Sequence, residues 1–362
     1  MNMNIHPEFL AAIRDLGYTE NEAAFLYLVA THSGYFTRQQ FLTFSAKTKG
    51  WCAHRLTSKT LEHHHARLTE YGKQACVFNL YSRRIYGPID KDNLRNRKRQ
   101  SQELILVRLL ILDFVLANPE YRYLETEADK LAYFHGTLGL PLPVLPGRTY
   151  KGAHSNSNTN RYFIDRFPIF FPNTGGSLSL PPLVTFTYCD SADWSLARYI
   201  THLRSYERCL RRLPAFNFVY AAPNPAKFSR AAAFFTRLFE GSDRVSAKQL
   251  ARYFEARRLW DAGKYNSLTR ADRDVLRDGD KRYADAGFES AYQKWLAGNL
   301  RQPDLEAVLD PPQPRQERNF LTYELPERYD IFYTEASKDY RPTAWDRRSG
   351  SRCVGRSASC DV

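Results

Sequence analysis

The chain has no apolar run of the length, about 18 residues, that crosses a bilayer. Its longest apolar stretch, Leu104–Leu116, is broken by Arg108 and Asp113. No membrane partner is therefore expected. No basic segment precedes an apolar block near Met1, so a secretory leader is not expected and a cytoplasmic location is. Six cysteines (Cys52, Cys76, Cys189, Cys209, Cys353, Cys360) are scattered without a CxxC pair. In a cytoplasmic chain they read most simply as free thiols. No GxxxxGK[ST], GxGxxG, GxSxG or HExxH occurs, and Gly175-Gly176 lies in a Pro-Asn-Thr-Gly-Gly-Ser turn with no lysine after it. No cofactor and no internal repeat are expected.

What is present is core material and positive charge. The 362 residues are 43% hydrophobic and 14% aromatic, enough for a packed fold of two domains. Residues 336–362, rich in Arg, Ser and Asp, read as a flexible tail. The formal net charge is +13, which draws polyanions: nucleic acid first, an anionic membrane surface second.

The N-terminal third carries helix punctuation. Pro7–Leu16 is a short amphipathic segment stopped by Gly17. Thr19 with Glu22 makes a capping box ahead of a helix over Glu20–Thr31, with Ala24, Phe25, Leu28 and Val29 on one face. Ser33-Gly34 breaks it. Thr37 caps a short helix, Arg38–Ser45. After the Lys47–Gly50 turn comes a fourth helix, expected over Trp51–Glu70. Ala75–Leu80 and Arg84–Ile89 then read as two strands joined at Tyr81-Ser82-Arg83. Helices followed by a basic-tipped hairpin are the element order of a winged helix.

A basic linker (Arg95, Arg97, Lys98, Arg99) leads into a buried helix over Leu104–Leu116 and a short one over Glu125–Phe134. Gly136–Asn160, rich in Gly, Pro, Ser and Asn, reads as a loop and domain boundary. Beyond it, strands are expected over Tyr162–Phe171, Leu183–Tyr188 and Phe216–Ala221, with helices over Ser195–Leu213 and Pro225–Phe239. That order implies a right-handed βαβ unit. Val245–Gly263 and Arg270–Ala297 read as helical, and Phe320–Tyr333 as a closing edge strand.

A helix in the major groove needs short polar and basic side chains outward, with cations flanking it. Lys47, Lys49, His54, Arg55, Ser58 and Lys59 supply these, with Arg38 at the preceding helix start and Arg83 and Arg84 at the hairpin tip. The plainer reading is a solvated basic face. Arg95, Arg97, Lys98 and Arg99 are equally a phosphate-tracking patch or a solvated linker. In the Ser195–Leu213 helix, Arg204, Arg208, Arg211 and Arg212 flank an apolar face and read slightly better as a solubilising face than as a phosphate site. His63-His64-His65, consecutive on the expected helix, cannot converge on one metal ion. Asp165, in the first expected strand of the second domain, and Asp190, just after the second, resemble a nuclease layout of carboxylates on neighbouring strands. No Asp-x-Lys or Glu-x-Lys completes it, and the preferred reading pairs Asp165 with Arg161 or Arg166 and has Asp190 cap the Ser195 helix region.

The run Gly34–Phe41 (Gly-Tyr-Phe-Thr-Arg-Gln-Gln-Phe), His54-Arg55 and Arg84-Ile85-Tyr86-Gly87 resemble the replication-relaxation type of winged-helix proteins, accessory DNA proteins of bacterial plasmids and integrative elements. Arg108–Leu116 followed by Thr126–Lys130 is similar to uncharacterised proteins of such elements. The resemblance spans roughly residues 20–240. It implies a second domain like a degenerate restriction-endonuclease core, to which Asp190, the Ser195–Leu213 helix and Phe216–Tyr220 correspond. Tyr188 stands where that family has an acidic residue, which speaks against nuclease activity.

The expected fold is thus α+β: a winged helix-turn-helix (1–95), a helical connector (96–150), an α/β domain with a mixed, partly parallel sheet (151–335), and the tail. The expected function is binding of double-stranded DNA, with a homodimer on paired half-sites, for replication, maintenance or transcriptional control of a mobile element. The rivals are a metal-dependent nuclease and a protein-interaction module in a host-takeover or defence complex.

Overall fold

The computed structural model describes residues 5–48, 50–71, 75–150, 159–172, 183–191, 195–240, 247–283, 286–301, 304, 305, 308, 317–325 and 329. The expected tail lies outside these residues. A proline-initiated helix, α1 (Pro7–Arg14), opens the chain. Gly17 turns the backbone at φ +91°. The capping box then forms as its residues predict: the Glu22 N–H donates to the Thr19 hydroxyl, and the Thr19 N–H donates to the Glu22 carboxylate at 2.9 Å. Regular helix α2 (Glu20–Leu28) is shorter than expected and passes into a π-turn, Val29–Ser33. It is buried on nearly every side because it is the centre of the N-terminal core, which the one-sided pattern did not indicate. The Asn96 amide donates to the Ala30 and Thr31 carbonyls of the π-turn, each at 2.9 Å. Gly34 ends the turn at φ +80°, where a side chain would collide with the Asn96 backbone.

Next come β1 (Tyr35–Phe36), α3 (Arg38–Phe44) with a Thr37–Gln40 capping box, α4 (Trp51–Glu62), β2 (Ala66–Tyr71) and β3 (Ala75–Leu80). β3 pairs antiparallel with both β1 and β2, so the sheet order is β1–β3–β2. Two expectations fail here. The fourth helix stops at Glu62, and His63–His65 form a turn in which His64 adopts φ +55°. Ala66–Tyr71 then forms the first arm of the hairpin, paired antiparallel with Ala75–Leu80. Consequently the Arg84–Ile89 strand does not exist. Arg83–Tyr86 is a helical turn, α5, whose Arg84 N–H donates to the Ser82 hydroxyl. Ile85 and Tyr86 are neighbours in sequence and both fully buried, which a half-buried strand, alternating its faces, does not allow.

α6 (Gln102–Ala117) explains its uniform apolarity by position. Leu112, Val115 and Leu116 pack into the N-terminal core, while Ile105, Leu110 and Phe114 pack with Phe170, Cys189 and Val219 of a second sheet. Asp113, the charge inside the run, is buried. It accepts from the Gln40 amide of α3 at 2.7 Å and from the Tyr329 hydroxyl at 2.6 Å.

The remaining elements are β4 (Arg122–Tyr123), α7 (Glu127–Leu131), the hairpin β5 (Gly147–Tyr150) and β6 (Thr159–Tyr162), β7 (Ile169–Phe171), β8 (Thr185–Cys189), α8 (Leu196–Leu210), β9 (Ala215–Ala222), α9 (Phe228–Glu240), α10 (Ala247–Asp261), α11 (Arg270–Arg282), α12 (Ala286–Leu296) and β10 (Glu317–Glu324). The second sheet runs β10–β9–β8–β7–β4. Its β8/β9 and β9/β10 pairs are parallel, and its β7/β8 and β4/β7 pairs antiparallel. The chain is thus mixed α+β with a mixed sheet. Strand β4 precedes the Gly136–Asn160 segment yet pairs with β7 after it, so that segment does not divide the sheet from what comes before. The single strand expected over Tyr162–Phe171 is two strands, and Asp165 lies in the turn between them. Among the described residues no helix is long and apolar enough to cross a membrane.

Candidate functional site

α4 is two-faced. Cys52, Ala53, Leu56, Thr57 and Thr60 point into the N-terminal core. Trp51, His54, Arg55, Ser58 and Glu62 follow one another at three- and four-residue spacing along the opposite face. Trp51 is 59% exposed, and the Arg55 guanidinium lies 5.1 Å from its ring centroid. Ser58 Oγ and His54 Nδ1 are 3.4 Å apart. Lys47 is exposed in the turn before α4. Lys49 lies outside the described residues.

Lys59, expected on this face, is turned away from it. Its Nζ donates to the Gly17 carbonyl at 2.9 Å and to the Glu22 carboxylate at 2.8 Å, beside the Tyr18 ring. Arg55 also reaches Glu22, at 3.4 Å. Burial alone raises the Glu22 carboxyl. Lys59, the Thr19 N–H and Arg55 outweigh it and hold the group below the usual carboxylate range. Arg38 likewise serves the fold: its Nε donates to the Thr57 hydroxyl of α4 at 3.1 Å, and its guanidinium lies over the Phe78 ring.

Arg83 and Arg84 are exposed, but on α5 rather than at a hairpin tip. Among the described residues of the hairpin, Arg67 of β2 is an exposed cation, 3.9 Å from the Tyr81 ring centroid. The sequence reading did not single out Arg67, and it used Trp51 only as the start of the expected readout region Trp51–Lys59. Trp51 sits three and four residues before His54 and Arg55, the spacing that reveals a shared face. Arg67 was hidden by the overlong helix.

The histidine triplet sits in the turn after α4. His65 Nδ1 and the Tyr18 hydroxyl are 2.7 Å apart, and burial, then its histidine and arginine neighbours, push the His65 pKa down to about 4. Among the described residues no group of three metal-donor side chains converges. The basic linker is divided. Lys98 and Arg99 are exposed. Arg97 is half-buried, 5.8 Å from the Tyr86 ring centroid. The side chain of Arg95 lies outside the described set.

In the second sheet the two aspartates have separate partners. Asp190, 1% exposed, follows β8 directly and accepts from the Tyr220 hydroxyl and from Lys227 Nζ, the latter at 3.2 Å. A lysine therefore does meet Asp190, delivered by the turn before α9 and not by the next residues of the chain. Asp165 accepts from the Tyr206 hydroxyl at 2.6 Å and the Phe167 N–H at 3.3 Å, with His202 Nδ1 at 3.7 Å. Arg161, expected near it, pairs instead with Glu127 at 2.7 Å. Burial and then Asp190 raise the Tyr220 pKa; burial and then Asp165 raise that of Tyr206. No family model matches the chain, and neither the curated proteins nor the solved structures provide a match.

Proposed function

We propose that the chain binds double-stranded DNA through its N-terminal unit, used as a winged helix-turn-helix. α4 enters the major groove and the β2–β3 hairpin is the wing. The observation that supports this most is the outer face of α4, where Trp51, His54, Arg55 and Ser58 stand clear of the core on a helix packed firmly from behind. The major groove, about 12 Å wide, admits such a helix, and these side chains suit base edges and the thymine methyl. Lys47 ahead of the helix and Arg67 on the hairpin flank it as phosphate contacts, with Arg83 and Arg84 on α5 further out. The order helix, strand, helix, helix, hairpin, with β1 closing the sheet against β3, agrees with this reading.

The resemblance to replication-relaxation proteins suggests a role in replication, maintenance or transcriptional control of a mobile element, with a homodimer on paired half-sites. A second reading, a metal-dependent nuclease in the sheet domain, has one observation in its favour. Asp190 and Lys227 meet at the C-terminal ends of parallel strands, where open α/β sheets bind ligands. Selection from a random duplex pool tests the first reading: an enriched motif is expected, and a pool that stays random contradicts it. Divalent-ion-dependent cleavage that disappears in Asp190→Asn is the outcome that favours the nuclease.

A further inference from the structure

Cations gather where the N-terminal unit meets the turn ahead of β7. The Arg97 guanidinium lies 5.8 Å from the Tyr86 ring centroid. The Tyr35 hydroxyl donates to the Lys98 carbonyl at 3.1 Å and accepts from the Gln100 N–H at 2.9 Å, which ties the basic linker to this seam. Arg108 projects from α6 into the same region. The charges of Arg97, Arg108 and Arg166 all act on Tyr86, and Arg99 and Arg108 act on Tyr35.

Two guanidinium nitrogens here, Arg97 Nε and Arg108 Nη1, are shut off from water and have no acceptor among the described residues. A buried N–H without an acceptor is costly, and more so on a charged group. The carboxylate whose charge acts on Arg108 is Asp165, which already accepts from Tyr206 and Phe167. Burial, with Arg166 adding like charge, lowers the Arg108 pKa to about 9, an environment that an anion relieves.

We infer that this seam between the two units is a binding site for a single phosphate group, held by Arg97 and Arg108. Guanidinium forks match the tetrahedral oxygens of phosphate with paired N–H bonds, and several like charges in one place favour a dianion over a monoanion. The ligand is an inorganic phosphate or a terminal phosphate ester. The site does not depend on the DNA reading, since no residue of α4 belongs to it.

The test is thermal unfolding of the full chain in sodium phosphate against sodium chloride of equal ionic strength. The wild type is expected to gain roughly 2–4 °C in phosphate. Arg108→Met should lose that gain while melting higher than wild type in chloride, because a half-buried guanidinium with an N–H that has no acceptor is gone. Arg97→Gln, at a half-buried position, should lose most of the gain and carries the test if Arg108→Met does not fold. Arg204→Gln, exposed on α8, should respond as wild type does. No excess of phosphate over chloride, or equal gains in wild type and both seam variants, overturns the proposal. Comparing duplexes with 5′-phosphate and 5′-hydroxyl ends then separates the sources. Preference for the phosphorylated end assigns a DNA terminus, and equal binding assigns the free anion.

Discussion

α4 and α8 look alike in sequence: each sets cationic side chains beside an apolar face. They differ in what those cations do. On α8, Arg211 donates to Glu207 at 2.9 Å and to the Leu238 carbonyl at 2.6 Å and lies over Phe239. Arg204 lies over Phe234, and Arg198 pairs with Glu103 at 2.9 Å. These arginines fasten α8 to its surroundings. On α4 the division runs through the helix. Lys59 is fastened to Glu22, whereas Trp51, His54 and Ser58 face outward. Charge counts along a sequence do not separate the two cases. The carboxylates, carbonyls and rings across the gap do.

The largest effect that tests this contrast is removal of the carboxylate under α4. Glu22→Ala leaves Lys59 without its partner in a half-buried position and breaks the α2 capping box. A loss of about 3–5 kcal/mol is expected in urea unfolding. The matching change under α8, Glu207→Gln, touches a more exposed pair and should cost under about 1 kcal/mol. Equal losses would remove the distinction.

Proton linkage gives the next effect. Burial, reinforced by Lys91 and Lys130, pushes the pKa of His32 down to about 3, and burial pushes that of His65 to about 4. Both are depressed below the ordinary histidine value near 6.5. The unfolded chain therefore takes up protons first, and the stability these groups contribute is present above pH 6.5 and declines as pH falls toward their folded values. Between pH 6.5 and 5, above the carboxylate range, each contributes a slope approaching about 1.4 kcal/mol per pH unit. His32→Asn should flatten the profile in that window, measured by urea midpoints at each pH. An unchanged slope shows that His32 is not the group responsible.

The smallest effects concern DNA. Arg55→Ala should weaken duplex binding by about 1–3 kcal/mol in anisotropy titrations, less if Glu22 already holds much of its charge. Arg204→Ala on α8 should leave the affinity unchanged.

Where local chemistry decides, the sequence was a good guide. The Thr19–Glu22 box, the Ser33-Gly34 break, the buried helix over Leu104–Leu116 and the parallel β8–α8–β9 unit all form. Misreadings arose where tertiary burial overrides pattern. The Arg84–Ile89 run is β-like by composition, but Ser82 caps it into a helical turn and the N-terminal core takes both Ile85 and Tyr86. The helix meant to run to Glu70 ends in a histidine turn stabilised by the Tyr18–His65 contact, from 47 residues away. Partners at such distance also decided the candidate site. Glu22 claims Lys59, Thr57 claims Arg38, and Lys227 reaches Asp190 from the far side of β9. No spacing rule along the chain reports these meetings.

The most direct test of the account is duplex binding measured at two salt concentrations for wild type, a Lys47→Ala/His54→Ala/Arg55→Ala variant of the α4 face, and an Arg198→Ala/Arg204→Ala variant of α8. The account predicts at least about tenfold weaker binding and a shallower salt dependence for the α4 variant, with the α8 variant matching wild type. Equal affinity and equal salt slope in all three proteins would contradict it.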